Sequence, residues 1–411
     1  MAAATAQPER VDYDVVIAGA GPAGVATAVA LAAREPALAP RIVCFDKARF
    51  PRDKPCGGGL TGHAHAAMAA VGLALRVAHV PCRDGRIAYG GIQRDVPLGR
   101  PVDVVRRTEF DADLVDQARA RGVEIVQGEG VAGHEVDARA GLVRVATSRG
   151  RTVTARVLVG ADGAGSRVRK TLATDARRPL RLFQTEIPMP PALAAAFGER
   201  MAYDFTPMRA GLRGYVWLFP APGGRLNVGA MHYPSRKLSG AEIERLLREC
   251  LEARYGIVLP DGARGWPAWR YRASTRIAAP HVLCVGDAAG IDALTGEGIA
   301  VGLEHGPVAA DAIVRALATG DFRFAGYARA IRRAVVGREL ALDGRLAAML
   351  YAPRAFQTWL SLILFDERMQ ALYAARVSGS EVLADRKLAL LSALGRHVVR
   401  APGRIAATAG A

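Results

Sequence analysis

Lysine is scarce in this chain: of 55 basic residues only five are lysines, against 39 acidic residues and a net charge of +16. Such an arginine bias follows genome base composition as readily as an anionic partner. No Lys/Arg run alternates with aromatics, so no nucleic-acid partner is expected. Cysteine is sparse too. The thiols at 44, 56, 82, 250 and 284 form no C-x-x-C pair and no histidines cluster, which argues against a disulfide framework and against a metal site. A reducing cytoplasm is the expected compartment. Residues 1–11 lack a basic segment leading into an apolar core, so they do not read as a secretory signal. The most apolar late stretch, residues 355–365, is too short to span a bilayer. No internal repeat or low-complexity linker stands out.

What is present is an ordered set of glycine motifs. At 411 residues the chain exceeds what one hydrophobic core usually serves, so two packed domains and a tail are expected. Tyr13 to Ala18 is an apolar, β-branched run typical of a strand buried on both faces. Gly19-Ala20-Gly21-Pro22-Ala23-Gly24 follows at once, then an Ala-rich helical stretch to Arg34 and a second strand from Arg41 ending at Asp46. In such a βαβ unit Gly19 makes the tight turn, Gly21 admits a pyrophosphate, and Gly24 lets helix and strand pack closely. Asp46 stands 22 residues beyond Gly24, where a carboxylate accepts ribose hydroxyls. An acid there favours FAD or NAD over NADP.

Two more strand-Gly-Asp elements lie downstream, one running into Gly160-Ala161-Asp162-Gly163 and one from His281 to Gly286-Asp287. An Asp-Gly pair alone is an ordinary turn, but two well-separated ones after buried strands imply a cofactor held at both ends. Thr295-Gly296-Glu297-Gly298-Ile299 then opens a helix through His305 and Gly306 whose first amides are placed to face a reduced isoalloxazine. Lys54-Pro55-Cys56-Gly57-Gly58-Gly59 is a flexible loop in which a cysteine has little packing to do. Tyr215, Trp217 and Phe219 alternate on one face of a strand and read either as core or as the wall of a pocket. His63 and His65 read as helix-start histidines on the surface, with a proton relay as the alternative.

These motifs resemble the geranylgeranyl reductase family, within the flavoproteins that share the p-hydroxybenzoate hydroxylase fold. The resemblance is carried by Gly19 to Gly24, Asp162-Gly163, Gly286-Asp287, Pro55-Cys56-Gly57-Gly58, the Y-x-W-x-F-P run Tyr215 to Pro220 with Asn227-Val228-Gly229, and Gly296-Glu297-Gly298-Ile299. It implies an α/β fold: a Rossmann-like FAD-binding domain from residues 12–80, 100–170 and 275–325, a mixed-sheet substrate domain from 81–99 and 171–274, and a helical C-terminal region over 326–411. It implies that Gly19, Gly21, Ala23, Gly24, Asp46 and Lys47 bind the adenosine end of FAD, with Arg107 nearby and the register against Arg106 open. Asp162, Gly286, Asp287, Gly296, Gly298 and Ile299 fall on the flavin end, and Cys56, Gly57 and Gly58 beside the ring. Tyr215, Trp217 and Phe219 fall on the substrate wall, with Cys56, Tyr215 and Trp217 as the catalytic candidates.

The expected reaction is hydride transfer from reduced flavin to a carbon-carbon double bond of an isoprenoid or other apolar small molecule or lipid, with NADPH or NADH as electron donor and Cys56 or a water as proton source. The alternative keeps the fold and hydroxylates an aromatic or polyketide substrate with O2. A halogenase is disfavoured because W-x-W-x-I-P is replaced by Tyr215-Val216-Trp217-Leu218-Phe219-Pro220. A non-catalytic flavin-binding redox sensor is the reading from another class. Residues 355–365 read as a buried helix, or else as an apolar lip on a membrane. Arg396, Arg400 and Arg404 would suit anionic headgroups in a peripheral contact.

Overall fold

The computed structural model describes residues 11–172, 178–234, 237–352 and 355–400. Because Tyr13–Ala18 is apolar on both sides, it takes the middle of a sheet, parallel to Ile42–Asp46 on one flank and to Thr152–Gly160 on the other. Val282–Cys284 and Glu124–Gln127 extend this parallel core outward, and the hairpin Val131–Asp137 with Leu142–Thr147 pairs onto Thr152–Gly160. The helices Pro22–Arg34 and Ile299–Thr319 cross at close range. A Cβ on Gly306 would lie 2.7 Å from the carbonyl carbon of Ala26, so glycine there lets the second helix lie flat on the first.

The second sheet has eight strands in the order Arg264–Ala268, Leu180–Pro188, Arg225–His232, Gly214–Ala221, Arg200–Asp204, His79–Tyr89, Ile92–Val105, Gly59–Leu60. It reaches beyond the expected 81–99 and 171–274, taking in Gly59–Leu60 and the whole of Ile92–Val105. Pro97 and Pro101 obscure that strand in the sequence; they are tolerated because only the two-residue strand Gly59–Leu60 lies beyond it, pairing at Asp103 and Val104. The edge strand is Arg264–Ala268, and Arg270 beyond it makes only an isolated bridge to Ile291. Gly214–Ala221 is buried along its whole length, and its two faces divide by parity. Val216 and Leu218 pack toward the helix Gly240–Tyr255, whereas Tyr215, Trp217 and Phe219 join a different cluster with Tyr351 and Leu360.

The C-terminal region is helical: Val335–Leu350, Phe356–Phe365, Glu367–Val377 and Lys387–Arg400. Phe356–Phe365 is a buried helix, with Leu360, Leu362 and Leu364 closed off from solvent. Among the described residues no helix is long and apolar enough to cross a membrane. Arg404 and the side chain of Arg400 lie outside the described residues, while Arg396 contacts Ser392 on its own helix.

Candidate functional site

A cavity of about 750 Å³ runs from the glycine turn of the first sheet to the aromatic face of the second. That volume is within the range of sites that enclose a cofactor-sized ligand. At its nucleotide end Gly19 has φ +104°, and a Cβ there would sit 2.4 Å from the Ala161 carbonyl oxygen, so the turn demands glycine. No side chain caps the helix Pro22–Arg34, whose first N–H groups therefore supply an anion site on the cavity wall. Asp46 is buried and accepts from the N–H of Ala20 at 2.9 Å and of Ala48 at 2.8 Å. It thus shapes the turn as well as lining the cavity, together with exposed Lys47.

Arginine supplies the positive charge. Arg107 makes a bidentate pair with buried Asp111 at 2.7 Å and 2.7 Å, and Arg52 reaches the same carboxylate at 2.9 Å. Two guanidiniums on one carboxylate leave a net positive charge beside the uncapped helix, suited to a diphosphate. Burial works against the charge on Arg107, but Asp111 and Cys56 beside it hold its pKa above the ordinary value. Arg106 turns to Glu109 and Glu186 and does not line the cavity, whereas Arg107 does. Arg52 was not anticipated; the basic Pro51-Arg52-Asp53-Lys54 run is the trace it leaves in the sequence.

At the flavin end Asp162 caps the following helix, its Oδ2 accepting from the Arg167 N–H at 2.7 Å, while its Oδ1 is buried without a partner. An orphaned buried carboxylate oxygen at a cavity wall fits a ligand hydroxyl. Asp287 faces Lys54 at 3.9 Å. The neighbouring Gly286 N–H donates to Nδ1 of His305 at 3.0 Å, and burial drives the His305 pKa down to about 4, so the imidazole accepts in its neutral form. Ala23, Gly296, Gly298 and Ile299 complete this wall. The glycine turn, the paired arginines and the open Asp162 oxygen together fit FAD.

The cysteine loop and the aromatic strand are joined by a short relay. Trp217 Nε1 donates to Asn227 Oδ1 at 2.9 Å, and Asn227 Nδ2 donates to the Cys56 carbonyl at 2.7 Å. The Gly58 N–H points back to Cys56 Sγ at 3.4 Å, and a Cβ on Gly57 would come within 3.0 Å of the Phe219 ring. Tyr215 donates its hydroxyl to the Thr295 carbonyl. The polar atoms of Tyr215 and Trp217 therefore tie down two loops of the cavity, and their rings line it with Tyr203, whose ring centroid is 5.2 Å from that of Tyr215 and 5.3 Å from that of Phe219.

Beyond the wall lie residues that sequence reasoning missed. Glu297, Tyr373 and Arg376 line the cavity, the last two from the unanticipated helix Glu367–Val377. Arg376 is held by Asp343 at 2.6 Å and Glu339 at 2.9 Å and stands 3.6 Å from Glu297. Burial pushes the Tyr373 phenol up to about 12. A second pocket of about 100 Å³, lined by Leu350, Leu362, Ile363 and other apolar groups, adjoins the first and shares Tyr203, Tyr215, Tyr373 and Arg376 with it. His63, read as a surface residue, is mostly buried, with Nδ1 3.6 Å from Glu304.

Comparison with known proteins agrees with this geometry. The family described as FAD binding domain matches residues 12–335. A menaquinone reductase of Mycobacterium tuberculosis is 30% identical over 374 residues, covering 84% of this chain and 86% of that protein. A digeranylgeranylglycerophospholipid reductase of Methanosphaera stadtmanae is 25% identical over 334 residues, covering 76% and 80%. Among solved structures, a geranylgeranyl bacteriochlorophyll reductase-like protein of Thermoplasma acidophilum superposes with a TM-score of 0.71 at 20% identity, covering 92% of this chain and 99% of that one.

Proposed function

This chain belongs to the FAD binding domain family and is an FAD-dependent oxidoreductase, and from that premise we propose that it saturates a carbon-carbon double bond in the isoprenoid chain of a quinone or lipid. The observation that carries this reading is the second, apolar pocket of about 100 Å³, an extension beside the cavity that shares Tyr203, Tyr215 and Tyr373 with it and is otherwise lined by groups such as Leu350, Leu362 and Ile363. A compact aromatic acid or phenol has no use for such an extension. The relatives named as menaquinone and digeranylgeranylglycerophospholipid reductases act on substrates with long prenyl tails, in keeping with it.

When bound, FAD supplies the hydride after reduction by NADPH or NADH. The chain supplies position and dryness. Gly19, Gly21 and the first amides of Pro22–Arg34 hold the diphosphate with Arg52 and Arg107, and Asp46, Asp162 and Asp287 take hydroxyls. The Trp217–Asn227–Cys56 relay fixes the loop on one side of the ring, and Tyr215 fixes the Thr295 loop on another. Tyr203, Tyr215, Trp217 and Phe219 exclude water and seat the double bond. The test is anaerobic: FAD-loaded protein, NADPH or NADH, and menaquinone with an unsaturated side chain should give flavin bleaching and, once the quinone ring has been reoxidised in air, a product whose side chain is heavier by two hydrogens. Strict dependence on O2 with gain of one oxygen overturns the reading.

A further inference from the structure

The reduction needs a proton at the carbon next to the one that receives hydride. The cavity contains one carboxyl group whose surroundings are arranged for that purpose. Glu297 sits in the Gly296-Glu297-Gly298 turn with its side chain 12% exposed, toward the cavity. Its Oε1 accepts from Thr61 Oγ1 at 2.6 Å, which orients the group. Its Oε2 is 3.6 Å from Arg376, too far for a hydrogen bond, so this oxygen has room for a proton.

The charge count points the same way. Arg376 makes its close contacts to Asp343 and Glu339, on the helix Val335–Leu350, and Asp343 is wholly buried with one oxygen unpartnered. One guanidinium cannot neutralise three buried carboxylates, so the cluster retains protons, and Glu297 is its member on the cavity wall. Burial, against the opposing pull of Arg376, Thr61 and His63, raises the Glu297 pKa, with Asp292 adding to the rise. On the other side His63 faces Glu304, which raises its pKa, and its Nε2 is buried without a partner. The remaining titratable groups facing the cluster are the phenols of Tyr203, Tyr215 and Tyr373, all pushed up by burial.

We infer that Glu297 is the proton donor of the reduction and that His63 with Glu304 restores its proton from solvent. This rests on the reductase reading above. The π pair of the alkene is replaced by two C–H bonds, one made with the hydride that reduced FAD supplies and one with the proton from the Glu297 carboxyl. Oxidised FAD and a Glu297 carboxylate remain, and a solvent proton arriving by way of His63 completes the cycle. Cys56 then serves to position the loop.

The test compares wild type with Glu297→Gln, both FAD-loaded and reduced with dithionite under anaerobic conditions. Mixed with menaquinone bearing an unsaturated side chain, the variant should form product saturated in that side chain at least about 100-fold more slowly, read by mass after air reoxidation of the quinone ring, the range removed with a general acid. With ferricenium, an electron acceptor that needs no proton on carbon, the two should match. A variant that keeps the wild-type quinone rate overturns the donor role alone, as does one slowed equally toward ferricenium. Failure of the wild type itself to react with the quinone overturns the reductase reading and this role with it. A second readout needs no turnover: a buried carboxyl with a raised pKa loses stability as pH rises above the ordinary carboxyl range, so the melting temperature of Glu297→Gln relative to wild type should climb as pH is raised from about 4.5. A flat difference overturns the proposal.

Discussion

The two ends of the cavity are built from opposite materials. The cofactor half is made largely of backbone: a glycine turn, an uncapped helix and, further along, the Gly286 N–H that a neutral His305 accepts. Its few charges lie on neighbouring loops and helices, with Asp111 answering Arg52 and Arg107. The substrate end is made of side chains brought from far apart, with Glu297, Glu339, Asp343 and Arg376 meeting across two helices and a loop. Local geometry determines the first, and tertiary packing the second. They should therefore respond to different insults.

The largest effect is expected at the substrate end. Arg376→Met removes the counter-ion of Glu339 and Asp343 and leaves two buried carboxylates, at a cost of about 3–5 kcal/mol. The sign with pH follows: without the arginine those carboxyls have folded pKa values above the unfolded value, so the deficit grows as pH rises and shrinks toward about pH 4. Chemical denaturation of the variant at several pH values checks this. A pH-independent loss would mean that packing, and not charge, holds the helices Val335–Leu350 and Glu367–Val377 to the cavity.

Acid should instead find the cofactor half. The folded pKa of His305, pressed down to about 4 by burial, lies below the unfolded value, so the folded state takes up its proton later than the unfolded one. Stability is therefore complete above about pH 6.5 and falls as pH drops toward 4, by roughly 2 kcal/mol at about pH 5. Flavin release and the melting temperature followed from pH 7 downward measure it. His305→Asn, which can still accept from Gly286, should flatten that slope; if the slope survives, another group carries it.

The same contrast decides how much the sequence disclosed. The glycine turn, Asp162 and Gly286-Asp287 were legible because each is a strand followed by a backbone conformation that few residues permit, and Asp46 because it is the acid that ends the second strand of the βαβ unit. Arg107 was legible only up to its register, since both Arg106 and Arg107 precede the same helix and only the fold shows that Arg106 goes to Glu186. Arg376 and Tyr373 were not legible at all. They lie on a short helix of mixed polarity, and their meaning comes from Glu297, many residues away in sequence. The aromatic strand was half legible: its parity was plain, but not that Asn227 would tie Trp217 to the cysteine loop.

Asn227 stands at the seam between the two ends, and its replacement should have a middling effect. Asn227→Ala leaves the buried Trp217 N–H without an acceptor and frees the Cys56 carbonyl, at about 1–3 kcal/mol. Turnover should fall by about tenfold through the loosened loop, whereas FAD affinity should change less, because the glycine turn and the helix Pro22–Arg34 keep all their contacts. Flavin titration against steady-state rate separates the two, and an equal loss in both would erase the boundary between the ends.

The smallest effect is expected from Cys56→Ala. The thiol accepts one weak contact from the Gly58 N–H and lies beside Arg107, but the loop is held chiefly by its backbone, through Asn227 to the Cys56 carbonyl and through the Val105 N–H to the Gly58 carbonyl at 3.0 Å. Removing the sulfur leaves both backbone ties in place, so turnover should drop only a fewfold and less than in Glu297→Gln. The side chain next to the ring would then be the less important one, and the carboxyl behind the wall the more important. Should Cys56→Ala prove the slower of the two variants, proton delivery belongs to the loop, and the buried cluster around Arg376 is there for cohesion.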